Sequence, residues 1–551
     1  MSAEPLDGEP TVQRFHGSLI WPLQLEPLAA EEAEGRHWEV FGKLRGQPWT
    51  LIDDEFTDDP TQFKERHYRE FVSFLPYVQR FLYGEGRSRR HAPDDPPGDS
   101  PIHVFRRKDV TSLRLTLRPG LAPILLRVVH LDIYFFQDLD LVLLNLEVRA
   151  GPLPLATIRE VLFRFGRAYP SGWGEEGEGL HNVHLAEWLG EDGAVIAVSD
   201  SERRSKYLEY VCQHRSPCIS EHWACLLRPL VLAHSDEPGE LRYRLIEYHR
   251  MPVMAYLAID QPRRLRREDW VRIGLATLLH PDEALPVNEP AVQEFETRYC
   301  QDRYWQDTER GPNTRFMCTG NVLTVVGDAS SPYFVDAERG LLAQFRHQYF
   351  LVFLIAHLHR AALLVFSDVL VDAVNDLDIR LDTSVRRFKR RIRGNFETFL
   401  RFTHRYWFHE LSERSHVQSL FRLCSNHLHN DALYDEVRDE IREMSQYLDS
   451  DSQRRQSNTV VRLTVITILG LIATVTTGYF GMNIIAFGEG SIADRILHGF
   501  VATLTFVLLV LFAVARSKRL SDFLEALADE KIGIRGKLTA LWRIVLPAGK
   551  D

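Results

Sequence analysis

The chain has little cysteine: six in 551 residues, Cys212, Cys218, Cys225, Cys300, Cys318 and Cys424, with no CxxC pair. That excludes a disulfide scaffold and predicts free, partly buried thiols in a reducing compartment. His214 and His222 stand among the first three, but the spacing Cys-x5-Cys-x6-Cys matches no standard zinc module. An excess of positive charge is also lacking. Sixty-six Lys+Arg against 76 Asp+Glu leave a net charge of -10, which argues against a nucleic-acid binder. No HExxH or GxSxG occurs, and His357-x-His359 and His427-x-His429 lack a matching carboxylate or cysteine pattern, so no enzyme is expected. The glycine-rich loop at 171–179 has no GK[ST] and is acidic, so it would repel phosphate. The first residues carry neither a basic n-region nor an apolar h-region, so no cleaved signal peptide is expected. Proline is missing between Pro332 and Pro547, which predicts long helices over ~337–460.

What is present is apolar length near the C-terminus. Residues 463–480, LTVITILGLIATVTTGYF, are eighteen without a charge, and 496–515, ILHGFVATLTFVLLVLFAVA, are twenty more. At ~1.5 Å per residue each would span a hydrocarbon core. Arg454, Arg455 and Arg462 precede the first run, and Arg516, Lys518 and Arg519 follow the second. The positive-inside rule then puts both termini in the cytoplasm. Phe345–Phe366 is also apolar, but Arg346, His347, His357, His359 and Arg360 interrupt it, so a buried helix is expected there.

Upstream, strand-like runs at 123–131, 141–148, 194–198, 243–248, 253–259 and 322–326 alternate with helical stretches such as 156–166. Together they predict a mixed α/β domain, with a flexible loop at 84–101. Val437, Ile441, Met444 and Leu448 follow a 4-3-4 rhythm on a helix expected to run unbroken from about Asp431 into the first apolar run. Two kinds of charge run stand out. One is Arg386–Arg393, with six cations in eight residues; the others are acidic, at 53–59 and at Asp372, Asp376 and Asp378. They are solvated faces, or an acidic regulatory metal site with the cationic run docked against acidic helices.

The first apolar run ends in Gly478-Tyr479-Phe480-Gly481-Met482-Asn483. A Gly-Met-Asn at the outer end of the penultimate of two C-terminal spans resembles the signature of the CorA family of divalent-cation transporters. At sequence level the resemblance covers 450–519. Departures are Ile472 where a proline is usual, Phe480 where Tyr is usual, a less acidic loop after Asn483, and a tail about thirty residues longer.

The resemblance implies a pentameric funnel: an α/β cytoplasmic domain over 1–335, a helical bundle and stalk over 336–458, and a pore-lining span over 459–483. An external loop at 484–495, a second span at 496–516 and a basic cytoplasmic tail at 517–551 complete it. It further implies homopentamers in an inner or plasma membrane, with Mg²⁺, or Co²⁺, Ni²⁺ or Zn²⁺, as the transported ion and no covalently bound cofactor. Asn483 would hold a hydrated cation at the outer mouth beside Gly481, Met482, Gly478 and Thr474. Leu471, Thr467, Leu463 and Val460 are either inner pore constrictions or helix-packing positions. Asp372, Asp376 and Asp378 are the candidate regulatory ligands. The alternatives are a ZntB-like zinc transporter, by proton-coupled uptake or efflux, and a membrane-anchored sensor or scaffold that does not transport.

Overall fold

The computed structural model describes residues 10–28, 36–44, 46–52, 63–84, 101–246, 250–277, 288–306, 308, 312–378, 382–481 and 491–515. The chain divides into two compact units, Met1–Glu443 and Met444–Asp551. The loop expected at 84–101 lies almost wholly outside the described residues, as do the acidic run at 53–59 and the tail at 517–551.

A 15-stranded sheet organises the first unit. Its centre is the long strand Thr11–Leu25, flanked by Leu141–Ala150 on one side and by Val253–Ile259 on the other. Ile124–Phe136 lies next to Leu141–Ala150. Most pairings are antiparallel; Val253–Ile259 with Val322–Asp328 is parallel, and its crossover holds the helices Arg267–Leu275 and Glu289–Tyr299. All seven residues of Val253–Ile259 are buried, as expected of a strand covered on both faces. Side chains alternate between those faces. One face packs Leu144, Leu146 and Val148 with Ile158 and Leu162 of the helix Leu155–Arg164 and with Trp223. The other lies beneath the apolar helix Phe350–Asn375, which contacts both Thr11–Leu25 and Leu141–Ala150.

The helices follow in the proline-free part. Leu341–Gln344 passes through a π-helical turn, Phe345–Tyr349, into Phe350–Asn375. Among the described residues, the stretch Leu341–Asn375, where the interrupted sequence predicts a buried helix, is long and apolar enough to cross a membrane. In its most apolar window 83% is buried inside the protein, so it serves as a core helix of the sheet unit. Asp382–Arg405 buries Phe388, Ile392, Phe399 and Phe402 and leaves most of its cations exposed. Ser415–His427 follows, and then a single helix runs Asn430–Gly481. Val437 and Ile441 of the 4-3-4 rhythm are buried, whereas the side chain of Leu448 lies outside the described ones. The last helix is Ile492–Ala515, within which Gly499–Leu508 is an apolar stretch.

All six cysteines are free, and Cys218, Cys225, Cys318 and Cys424 are buried. Burial pushes the Cys218 thiol up to about 11 and the Cys300 thiol up to about 12, so both are inert at neutral pH.

Candidate functional site

The positions expected to line a pore all fall on the helix Asn430–Gly481, apart from Met482 and Asn483, which lie outside the described residues. Val460 is 63% exposed and Leu471 58%, and Thr467, Thr474, Gly478 and Gly481 are exposed as well. Leu463 belongs to the helix, but its side chain is not among those described. At about 100° per residue, Leu471, Thr474 and Gly478 share one side of the helix. Thr476, the one buried position among the described side chains of 460–481, lies on the opposite side. Among the described side chains, that side of the helix is exposed in a single chain.

Hydroxyls on these helices satisfy themselves. Thr474 Oγ1 donates to the Gly470 carbonyl at 2.9 Å, Thr476 to Ile472 at 2.7 Å and Thr477 to Thr474 at 3.0 Å. Thr503 and Thr505 do the same, each to the carbonyl four residues back. Such back-bonding removes the need for water or a neighbouring helix, so these hydroxyls place no demand on assembly. The glycines do pose a question. A Cβ at Gly470, Gly478 or Gly481 would meet nothing within 4 Å, yet glycine inside a helix costs about 0.5–1 kcal/mol relative to Ala. Packing within one chain gives no reason for them.

The acidic positions are held differently. Arg391, from the cationic run, donates to Asp376 at 2.8 Å and approaches Asp372 at 3.8 Å, while Arg244 lies 3.7 Å from Asp372. The Asp378 backbone N–H donates to Ser384 Oγ at 2.8 Å. The cationic run thus docks against these carboxylates through Arg391. Among the described residues, no three His, Cys, Asp or Glu gather closely enough to hold a metal ion.

No family model matches the chain, and no curated protein matches it.

A second constellation went unread in the sequence. Glu147 sits in Leu141–Ala150, where the register sets it opposite Ser18 on one side and His130 on the other. The π-helical turn lowers Arg346 onto it, with Nε–Oε1 at 2.5 Å and Nη2–Oε2 at 3.2 Å. His130 Nδ1 is 3.1 Å from the same carboxylate and His16 Nδ1 3.5 Å. Burial opposes the Glu147 charge, but Arg346, His130 and His16 around the carboxylate outweigh it and hold the carboxyl well below its usual range. Burial, helped by Arg66 and Arg346, pushes neighbouring His347 down to about 3, so that ring is neutral. Between the sheet and the turn lies a cavity of about 30 Å³, lined in part by Ser18, Asn145, Glu147 and His347, enough for a water. The signal was available: Asn145 and Glu147 are polar residues two apart in a strand that is apolar up to Arg149, and so share a face.

Proposed function

We propose that the chain is a homopentameric, CorA-like channel that carries divalent cations, Mg²⁺ foremost, through an inner or plasma membrane. The observation that carries this reading is the exposure of large apolar side chains along both helices of the second unit. Val460 and Leu471 on one helix, and Ile496, Phe500, Leu504 and Leu508 on the other, are all at least 45% exposed. In water such stripes would drive aggregation; lipid and neighbouring copies would cover them. The runs 463–480 and 496–515 would be the two spans, with both termini in the cytoplasm. Glycines with open flanks support the close approach of something outside the single chain, either another copy or a hydrated ion on the pore axis.

In this reading five Asn483 side chains form a ring of amide oxygens at the outer mouth. Mg²⁺ sheds water reluctantly, so neutral acceptors that bind its hydration shell suit a first site. Thr474 and Thr467 continue as polar rings, with Leu471, Leu463 and Val460 as apolar constrictions that gate by dewetting. The single helix Asn430–Gly481 offers gating a path with no proline to break it.

The test is flux in proteoliposomes for Mg²⁺, Co²⁺, Ni²⁺ and Zn²⁺, with wild type and Asn483→Ala at equal pentamer content by native mass spectrometry. Losing a ring of charge-assisted hydrogen bonds should lower apparent Mg²⁺ affinity by roughly an order of magnitude or more. Zinc flux driven by a pH gradient would instead assign a ZntB-like transporter, and no flux of any ion a membrane-anchored sensor. A stable monomer would sink the pore.

A further inference from the structure

Beside the Glu147 cluster lies a larger, open pocket of about 240 Å³. Four guanidinium groups line it: Arg66 and Arg69 on the helix Glu65–Phe71, Arg339 before Leu341–Gln344, and Arg414 at the start of Ser415–His427. The carboxylates at hand do not balance them evenly. Glu65 serves both Arg69, at 2.6 Å, and Arg339, at 3.1 Å. Among the described residues, neither Arg66 nor Arg414 has a carboxylate partner within ion-pair distance.

Arg66 is held by imidazoles instead, and one of those contacts is mismatched. His347 Nδ1 faces Glu70 at 3.7 Å, which leaves Nε2 free to accept from Arg66 Nη1 at 3.2 Å. His67 Nδ1 accepts the Lys64 backbone N–H at 3.0 Å, so in the neutral ring the proton sits on Nε2. Burial, helped by Arg66 and Lys64, lowers the His67 pKa and keeps that ring neutral. Arg66 Nη2, 3.1 Å from His67 Nε2, therefore meets another donor. A guanidinium edge with an unmatched donor stands over a pocket whose lining carries four arginines against Glu70 and Glu338. That arrangement calls for an oxygen-rich anion.

We infer that this pocket binds a diphosphate group, free or carried by a nucleotide. The arginine fork matches phosphate oxygens in pairs, and the volume exceeds what a single small inorganic ion would fill. The ligand would clamp elements far apart in sequence, Glu65–Phe71, Ser415–His427 and the approach to the π-helical turn, and so would favour one arrangement of the first unit. The inference stands on the first unit alone and does not depend on transport.

Isothermal titration of the full-length chain in mild detergent, with inorganic pyrophosphate, ADP and sulfate as separate probes, tests it. Saturable pyrophosphate or ADP binding is expected, weakened on the order of tenfold or more in Arg66→Gln/Arg414→Gln. Both residues are exposed, so the unfolding temperature of the variant should match wild type. Tighter binding of ADP than of pyrophosphate would assign a nucleotide; the reverse would assign the free diphosphate. Absence of saturable binding, sulfate binding as tight, or undiminished binding in the folded double variant would each overturn the inference.

Discussion

Two apolar stretches of this chain meet opposite surroundings. In Leu341–Asn375 the side chains of Phe353, Ile355, Leu358 and Leu363 are wholly enclosed by the sheet and its neighbouring helices. Among the described side chains of 460–481 and 492–515, comparable ones such as Leu471 and Phe500 stand exposed. Hydropathy does not separate them; the polar residues do. The first stretch carries groups that need partners from elsewhere in the fold, and several find one, although among the described residues both ring nitrogens of the fully buried His357 do not. Arg346 reaches Glu147, His359 Nε2 bonds the Tyr406 carbonyl at 2.6 Å, and Arg360 bonds the Leu428 carbonyl at 2.6 Å. The C-terminal runs carry threonines that bond back to their own helix. A helix whose polar groups are satisfied internally suits a medium that offers no partners.

The largest test of that contrast is one charge placed in each stretch. Leu354→Arg sets an unpaired guanidinium in a site 1% exposed and should unfold the sheet unit, at a cost of about 3–5 kcal/mol or more. Leu504→Arg should leave that unit folded and, if 496–515 is a span as proposed, penalise insertion by about 2.5–3.5 kcal/mol. Circular dichroism and carbonate extraction of both variants would read the two effects. Loss of the sheet unit in Leu504→Arg, with extraction unchanged, would erase the distinction.

A smaller effect comes from pH. Burial holds His347, His357 and His359 down to about 3 and His416 to about 4. These rings stay neutral in the fold but take up protons below ~6.5 when unfolded. Stability contributed this way is complete above ~6.5 and is lost as pH falls toward the folded values, by up to about 1.4 kcal/mol per histidine per pH unit. The depressed Glu147 carboxyl acts in the same direction, only below ~4.5. The urea midpoint of the first unit should therefore fall between pH 7 and pH 5.5. Equal midpoints would mean that the histidines titrate as in the open chain.

The smallest effect is expected at the acidic cluster. Changing Asp372, Asp376 and Asp378 together to Asn removes the half-exposed pairs that Arg391 makes with Asp372 and Asp376, and should cost under about 1 kcal/mol. Flux that loses its sensitivity to internal Mg²⁺ in this variant would assign the carboxylates a cation. An unchanged inhibition curve, which the geometry favours, would leave them to Arg391.

Much of the sheet was legible because its strands are short apolar runs between turn residues. Those expected at 123–131, 141–148 and 253–259 are found as Ile124–Phe136, Leu141–Ala150 and Val253–Ile259. The central strand Thr11–Leu25 was missed. Pro22 lies inside it, and proline argues against a central strand. The structure accommodates Pro22 at a change of partner: the register with Val253–Ile259 ends at Leu19, and that with Arg242–Leu245 begins at Leu23. At the candidate site, length and residue type were readable, since 463–480 falls within one helix. The Glu147 cluster was not, because His16, His130 and Arg346 meet it only through strand register and a π-helical turn.

That turn has a consequence for how the gene can change. A π-helical turn is one residue more than an α-helix needs, so deleting a single codon within Phe345–Tyr349 would restore regular winding. The flanks Leu341–Gln344 and Phe350–Asn375 would keep their phase and their buried faces, while Arg346 and His347 would lose their aim. One in-frame deletion could thus erase the charge cluster and the floor of the arginine pocket while sparing the core, and one insertion could bring them back.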